Sequence, residues 1–228
     1  MSNETGNRMS NDNNCFSCID CRLKSCNTDE GLYPEFCPTA ALMEGALEGA
    51  SFDEAIDLYL DDEENNRVTI AAAEVECENY CKMTRIEEIA EFAGKIGARR
   101  LGIATCVGLM REAAVAGKIL RNKGFEVYGV ACKVGAVPKI AVGLDMTHSA
   151  LGKNMCNPIL QAKILNEKET DLNIVVGLCV GHDSLFYKYS NALVTTAVTK
   201  DRVLGHNPVA ALYSAEYYYK NKLFPEKE

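Results

Sequence analysis

The sequence lacks several features that mark whole classes of proteins. It contains no tryptophan, and no run of about 18 consecutive apolar residues, which excludes a transmembrane helix of ordinary length. Residues 1–14 are polar and rich in asparagine, without the apolar segment of an ordinary secretory signal. Internal repeats, a G-x-G-x-x-G motif and a Walker lysine motif are also missing. Neither a repeat fold nor dinucleotide or nucleoside triphosphate binding is therefore indicated.

Positive charge is in short supply. The 228 residues include 24 Lys and Arg against 32 Asp and Glu, which gives a net charge of −8. An excess of negative charge repels nucleic-acid phosphates and anionic membrane surfaces, so we expect neither nucleic acid nor membrane as a partner. A small anionic ligand at a local site is compatible with this charge. The hydrophobic fraction of 47% is that of an ordinary globular protein.

Cysteine, in contrast, is abundant, with 11 residues in the chain. An odd number of cysteines without a secretory signal argues against a disulfide framework and for a reducing compartment. We therefore expect a cytoplasmic protein. In that compartment, clustered cysteines indicate a metal ion, an iron–sulfur cluster or thiol chemistry.

Composition divides the chain into four segments. Residues 1–14 are predicted to be a disordered tail, and residues 15–38 a cysteine-rich, metal-binding knuckle interrupted by glycine and proline. Residues 39–97 have the spacing of helices packed on the domain that follows. Residues 98–228 alternate strands with helices, which predicts an α/β domain with a mostly parallel, doubly wound, Rossmann-like sheet.

Two helix starts carry clear local signals. Ser51 with Glu54, and Thr84 with Glu87, have the spacing of capping boxes. At the other end of the chain, a closing helix is predicted from Pro208 to about residue 222.

The first cysteine constellation lies in the knuckle. Cys18, Cys21, Cys26 and Cys37 offer four thiolates within twenty residues, enough to complete a tetrahedral zinc site or to hold an iron–sulfur cluster. Cys15 adds a second Cys-x2-Cys pair and is the spare candidate, because it borders the polar tail. A zinc site here would fold the N-terminus, whereas a cluster would add redox chemistry.

The second constellation is spread through the α/β domain. Cys106, Cys132 and Cys179 each follow a predicted strand, and Cys156 precedes a predicted helix. Because the carboxyl ends of parallel strands meet at one edge of a sheet, we expect these cysteines to converge there with helix N-termini, which favour thiolates. Cys81 ends an earlier helix and could reach the same crevice. The convergence predicts a second metal or cluster site, or a pocket of reactive thiols.

Two other features point to the same crevice. His182 follows Cys179 at a glycine turn and is a candidate metal ligand, proton shuttle or anion contact. His206 and His148 are weaker candidates. Residues 133–155 form a long, glycine-containing segment without clear periodicity, and loops of that length are usually functional.

Several blocks of the sequence, spread over roughly residues 15–220, resemble the DUF1847 family of uncharacterised proteins. The blocks are the Cys-x2-Cys-x4-Cys spacing, Phe36–Pro38, Tyr80–Arg85, Cys156–Pro158, Gly177–Ser184 and Asp201–Pro208. The resemblance implies a protein that binds metal, without an established reaction. It supports the four knuckle ligands and directs attention to a second set: Cys81, Cys106, Cys132, Cys156, Cys179 and His182. Cys15 and Cys77 fit the pattern less well.

Three functions remain open from the sequence. The first is a redox or metal-handling protein that holds zinc or an iron–sulfur cluster and has room for a small molecule. The second is an enzyme with Cys106 or Cys179 as nucleophile and His182 as base. The third is a metal or redox sensor that docks through the acidic residues 53–64. Whether the chain is an enzyme, and how many copies assemble, is not indicated.

Overall fold

A computed structural model gives the fold of the chain. It describes residues 17–28, 31–47, 49–145, 147–148 and 152–226. The predicted tail and Cys15 lie outside the described residues. The chain divides into two compact units, Met1–Arg67 and Val68–Glu228. Within the described ranges, no helix combines the length and the apolarity needed to cross a membrane.

Helices and single turns make up the described part of the first unit. In chain order they are the 3₁₀ turns Cys18–Asp20 and Ser25–Asn27, α1 (Pro38–Met43), α2 (Phe52–Asp61) and the start of α3 (Glu63–Asn79). Strands and helices alternate in the second unit. They are α4 (Arg85–Lys95), β1 (Arg100–Thr105), α5 (Met110–Asn122), β2 (Glu126–Ala131), α6 (Pro158–Glu167), β3 (Leu172–Val176), α7 (His182–Tyr189), β4 (Leu193–Val198), α8 (Val209–Tyr213) and α9 (Lys220–Leu223).

Both predicted helix starts are confirmed. The Ser51 hydroxyl accepts the backbone N–H of Glu54 at 3.4 Å, and α2 begins at Phe52, directly after Ser51. At α4, Thr84 and Glu87 form the reciprocal capping box, with the Thr84 N–H donating to the Glu87 carboxylate at 2.9 Å. Such bonds satisfy backbone donors that a helix start leaves unpaired.

The sheet confirms the predicted α/β class. Its four strands run parallel in the order β2-β1-β3-β4. Leu101 of β1 lies opposite Val127 of β2 and Leu172 of β3, and every residue of β3 is buried. A parallel strand that is buried on both faces is mostly apolar along its length, as β3 is.

Helices cover both faces of the sheet. An ideal Cβ on Gly102 of β1 would lie 2.8 Å from Leu165 of α6, and one on Gly117 of α5 would lie 3.7 Å from Ile103 of β1. Because neighbouring residues of a strand point to opposite faces, α5 and α6 pack on opposite sides. This is the doubly wound arrangement, and Rossmann-like topology is plausible for it.

The predicted closing helix is wrong in its extent. The segment from residue 208 to 222 forms two short helices, α8 and α9, joined by turns. The Ser214 hydroxyl donates to the Ala210 carbonyl at 2.5 Å, and the Tyr219 N–H bonds back to the Ser214 carbonyl at 3.0 Å. A serine that bonds the backbone of the preceding turn, followed by three tyrosines, disfavours a continuous helix.

Candidate functional site

The main candidate site lies beyond the carboxyl ends of the strands. Cys106 directly follows β1, Cys132 directly follows β2, and Cys179 comes three residues after β3. The chain leaves β1 for β2 on one side and reaches β3 on the other, so the strand order reverses beside β1. Open α/β sheets bind ligands at such switch points.

A cavity of about 610 Å³ opens at this edge and is called the crevice below. The cysteines among its lining residues are Cys106, Cys132, Cys156 and Cys179. His182, the first residue of α7, lines it too, together with four cationic side chains: Lys133, Lys139, Lys200 and Arg202. This volume is that of a site for a small molecule.

Three of the thiols and the imidazole form a chain of contacts. Cys132 lies between Cys106 and Cys156, and its side chain lowers the pKa of both neighbouring thiols. His182 and Lys133, which line the same cavity, lower the pKa of the Cys156 thiol further. Cys132 also accepts the backbone N–H of Val107 at 3.4 Å. The structure therefore brings three cysteines that are distant in sequence into one hydrogen-bonded group.

These contacts divide the charge between two neighbouring sulfurs. Hydrogen bonds from Cys132 and His182, together with the ammonium of Lys133, lower the pKa of Cys156 well below its ordinary value despite partial burial. The same bond to Cys156, together with burial, raises the pKa of Cys132. Cys156 is thus the thiolate of the pair and Cys132 the thiol that donates to it.

The other two cysteines each contact a cation. Burial raises the pKa of the Cys106 thiol, but hydrogen bonds from Lys200 and from the Gly108 N–H outweigh burial and leave that pKa below its ordinary value. The Cys179 sulfur accepts a hydrogen bond from the Arg202 guanidinium at 2.9 Å. Lys200 and Arg202 both follow β4, far from these cysteines in sequence.

The long segment between β2 and α6 supplies one wall of the crevice. The Lys133 ammonium donates to the Asn154 carbonyl at 2.7 Å, and Asn154 is bridged to Pro138 in antiparallel fashion. Lys139 and Leu144 from the same segment line the cavity.

Two α6 residues that the sequence did not single out as site residues support the sulfurs. Gln161 is fully buried, and its amide donates to the Val130 carbonyl at 2.7 Å and to the Thr105 carbonyl at 3.1 Å. It thereby ties together the ends of β1 and β2, from which Cys106 and Cys132 emerge. The N–H of Asn157, the N-cap of α6, donates to the Cys132 carbonyl at 2.7 Å and fixes Cys156 beside it.

Several predicted candidates lie elsewhere. Cys81 is exposed in the turn between α3 and α4, with a φ of 57°, and is not among the described residues that line the crevice. Cys77 is exposed on α3. His206 accepts the Asp201 N–H at 3.2 Å, and His148 is exposed and bonded to the Asp145 carboxylate at 2.8 Å.

The four knuckle cysteines line a second, smaller cavity of about 130 Å³. Cys18 is the first residue of the first 3₁₀ turn and Cys21 is its C-cap, Cys26 lies in the second turn, and Cys37 is the N-cap of α1. A hydrogen bond from the Ala40 N–H lowers the pKa of Cys37, which favours its thiolate.

Among the described residues, no three Cys, His, Asp or Glu side chains stand together in a geometry that would hold a metal ion. The four knuckle cysteines nevertheless line one cavity, and four thiolates are the donors that zinc and iron–sulfur clusters take. The donor set of the knuckle therefore fits such a group in kind and number.

Comparison with known proteins gives a family and one close relative. A family model described as a protein of unknown function, DUF1847, matches residues 44–197. An uncharacterised protein from Methanocaldococcus jannaschii is 49% identical over 161 residues, which cover 71% of this chain and 82% of that protein. The span matched by the family model includes every cysteine of the crevice and His182. That span is narrower than the resemblance seen in the sequence, since it leaves out the knuckle and the block Asp201–Pro208.

Proposed function

The chain belongs to the DUF1847 family of proteins of unknown function, and from its crevice we propose that it is a dithiol protein that exchanges with disulfides. Cys156 is the attacking thiolate, Cys132 the second thiol, and His182 the group that moves the proton. The observation that carries the proposal is that Cys132, Cys156, His182 and Lys133 line one open cavity, in which the other three lower the pKa of the Cys156 thiol. Cys106 and Cys179, the nucleophiles predicted from the sequence, become supporting residues.

The reaction balances without a further oxidant. The Cys156 thiolate attacks one sulfur of a substrate disulfide, that disulfide bond breaks, and one substrate thiolate leaves. Cys132 then transfers its proton through His182 to the second substrate thiolate and attacks the Cys156 sulfur. The products are one substrate thiolate, one substrate thiol and a Cys132–Cys156 disulfide, so the substrate gains the two electrons that the protein loses.

A coloured aromatic disulfide, 5,5′-dithiobis(2-nitrobenzoate), tests this proposal in fast mixing. The native protein should release two coloured thiolates in its fastest phase and retain none. Cys156→Ser should remove that phase, because the attacking sulfur is gone. Cys132→Ser should release one thiolate and retain the other on Cys156, which mass spectrometry detects.

Cys77→Ser is the matched control, since Cys77 is exposed on α3 and lies outside the crevice. It should leave the fastest phase unchanged. A fast phase that survives in Cys156→Ser would overturn the proposal. A fast phase that appears only after a chelator is added would replace it with the other prediction for the crevice, a second metal or cluster site.

A second function is proposed for the knuckle, on the separate observation that all four predicted ligands line one cavity. Cys18, Cys21, Cys26 and Cys37 would hold zinc or an iron–sulfur cluster. Zinc would stabilise the fold of the first unit, whereas a cluster would supply an electron carrier.

Anaerobically purified protein distinguishes the two groups. Iron with acid-labile sulfide and visible colour would indicate a cluster, and zinc in a colourless protein would indicate a structural site. A protein without metal under these conditions would refute the knuckle proposal.

A further inference from the structure

The charge of the crevice runs against the charge of the chain. The whole chain carries a net charge of −8, yet four cationic side chains line this one cavity and no aspartate or glutamate is among the described residues that line it. Lys133, Lys139, Lys200 and Arg202 come from two segments separated by β3 and β4. Their convergence is therefore a product of the fold.

None of these four cations is paired with a carboxylate within the described part of the chain. The Lys133 and Lys139 ammonium groups donate to backbone carbonyls of Asn154 and His148. Lys200 and Arg202 contact the sulfurs of Cys106 and Cys179. Some cations elsewhere in the described chain do pair with carboxylates.

Lys95, for example, bonds the carboxylates of Glu74 and Glu78 at 2.8 and 3.0 Å. Arg100 likewise pairs with Glu169 at 3.0 Å. Carboxylates therefore neutralise these two cations, whereas none of the described residues that line the crevice is acidic. Concave surfaces lined by one sign of charge concentrate ligands of the opposite sign.

The sulfurs offset only part of this charge. Cys132 donates its proton to Cys156 and stays neutral, so the four crevice cysteines carry at most three negative charges against four positive ones. The cavity volume of about 610 Å³ leaves room for a small molecule beside the sulfurs.

We propose that the crevice binds a small molecule bearing phosphate or carboxylate groups, held by Lys133, Lys139, Lys200 and Arg202 beside the Cys156 sulfur. The inference deepens the proposed function by naming the class of its substrate, and it rests on that function only in using the same cavity. Ammonium and guanidinium groups bind such oxyanions through charge-assisted hydrogen bonds.

Calorimetric titration with inorganic pyrophosphate and, separately, with citrate tests this inference at fixed salt. Binding of pyrophosphate alone identifies a phosphate ligand, and binding of citrate alone a carboxylate ligand. The double variant Lys200→Gln, Arg202→Gln should weaken binding of the probe by at least about tenfold, because it removes two cations that can form charge-assisted hydrogen bonds to the anion. Lys118→Gln, an exposed lysine of α5, is the control and should bind as the native chain does.

Cys156→Ser separates this inference from the proposed function. It should abolish disulfide exchange and retain the bound anion. If neither probe binds, or if the double variant binds as tightly as the Lys118→Gln control, the anion site is refuted whatever the exchange assay gives.

Discussion

The knuckle and the crevice each gather four cysteines, but they do so by opposite routes. The knuckle sulfurs lie within twenty residues of chain and surround a cavity of about 130 Å³, with Lys24 as the one charged residue among its described lining. The crevice sulfurs come from three strand ends and a helix start, around about 610 Å³ and four cations.

The difference teaches that neighbours, more than cysteine itself, decide what a sulfur does. In the crevice, a thiol, an imidazole and an ammonium all bond one sulfur and fix which thiol ionises. In the knuckle, Lys24 is the one cation among the described residues that line the cavity. This difference is why we propose exchange chemistry for the crevice and metal ligation for the knuckle.

The largest expected effect tests whether the two groups act separately. Cys26→Ser should release the metal that we propose for the knuckle, because removing one of four ligands lowers metal affinity by more than the roughly 10–100-fold seen for residues that merely orient ligands. Metal analysis measures this. The fast exchange phase of the crevice should be unchanged, and its loss would show that the comparison is wrong.

The second prediction concerns pH. In a denatured chain the thiolate fraction of every cysteine falls roughly 80-fold between pH 8 and 6, given an ordinary pKa of about 8.5. Because the pKa of native Cys156 is lowered, its thiolate persists as the pH falls, and its alkylation rate should change less than about threefold over the same range.

Mass spectrometry of the alkylated peptide, in native and guanidinium-denatured protein, gives both rates. A native rate that follows the denatured one would contradict the assignment of Cys156 as the thiolate.

The third prediction concerns a substitution that destabilises the sheet beneath the crevice and leaves the knuckle unchanged. A Cβ on Gly102 would lie 1.9 Å from the Asn173 side-chain oxygen, which is itself bonded to Thr170 at 2.9 Å. Gly102→Ala should therefore lower the free energy of unfolding of the sheet by about 2–3 kcal/mol, measured in urea.

Gly94→Ala is the matched control, since a Cβ at Gly94 of α4 would meet open space. It should stabilise the protein by up to about 1 kcal/mol, the helix preference of alanine over glycine. Knuckle metal content should be unaffected by Gly102→Ala. Equal stability of the two variants would mean that β1 tolerates a side chain there.

The smallest effect is expected at the support beneath the sulfurs. Gln161→Met removes the side-chain donor from the Val130 and Thr105 carbonyls, although the Thr105 carbonyl still accepts the Cys132 N–H at 2.8 Å. It also removes a side-chain oxygen that has no partner in the described chain. The net loss should be about 1 kcal/mol in urea unfolding, with a several-fold slower exchange phase. Lys163→Met, exposed on the same helix, should change neither quantity.

Much of the scaffold was predictable because its signals are local. The capping boxes at Ser51 and Thr84 depend on residues three positions apart along the chain. The prediction of one continuous final helix was wrong because the Ser214 hydroxyl bonds the Ala210 carbonyl of the preceding turn, and the helix ends there.

Only part of the candidate site could be predicted from the sequence. A cysteine after a strand can be read from the sequence, and Cys106, Cys132 and Cys179 all lie at the crevice. Lys200 and Arg202 could not be found, since charged residues after a strand are common and carry no motif.

The sequence by itself determined the α/β class, the alternation of strands and helices along the chain, and the positions of the sulfurs relative to strand ends. These depend on side-chain period and on caps, which act over a few residues. Only the tertiary structure decided that Cys156 contacts Cys132 and His182, that Cys81 lies elsewhere, and that four cations face the sulfurs. Those contacts depend on strand order and on where a long loop returns, and both are set by packing between residues far apart in the chain.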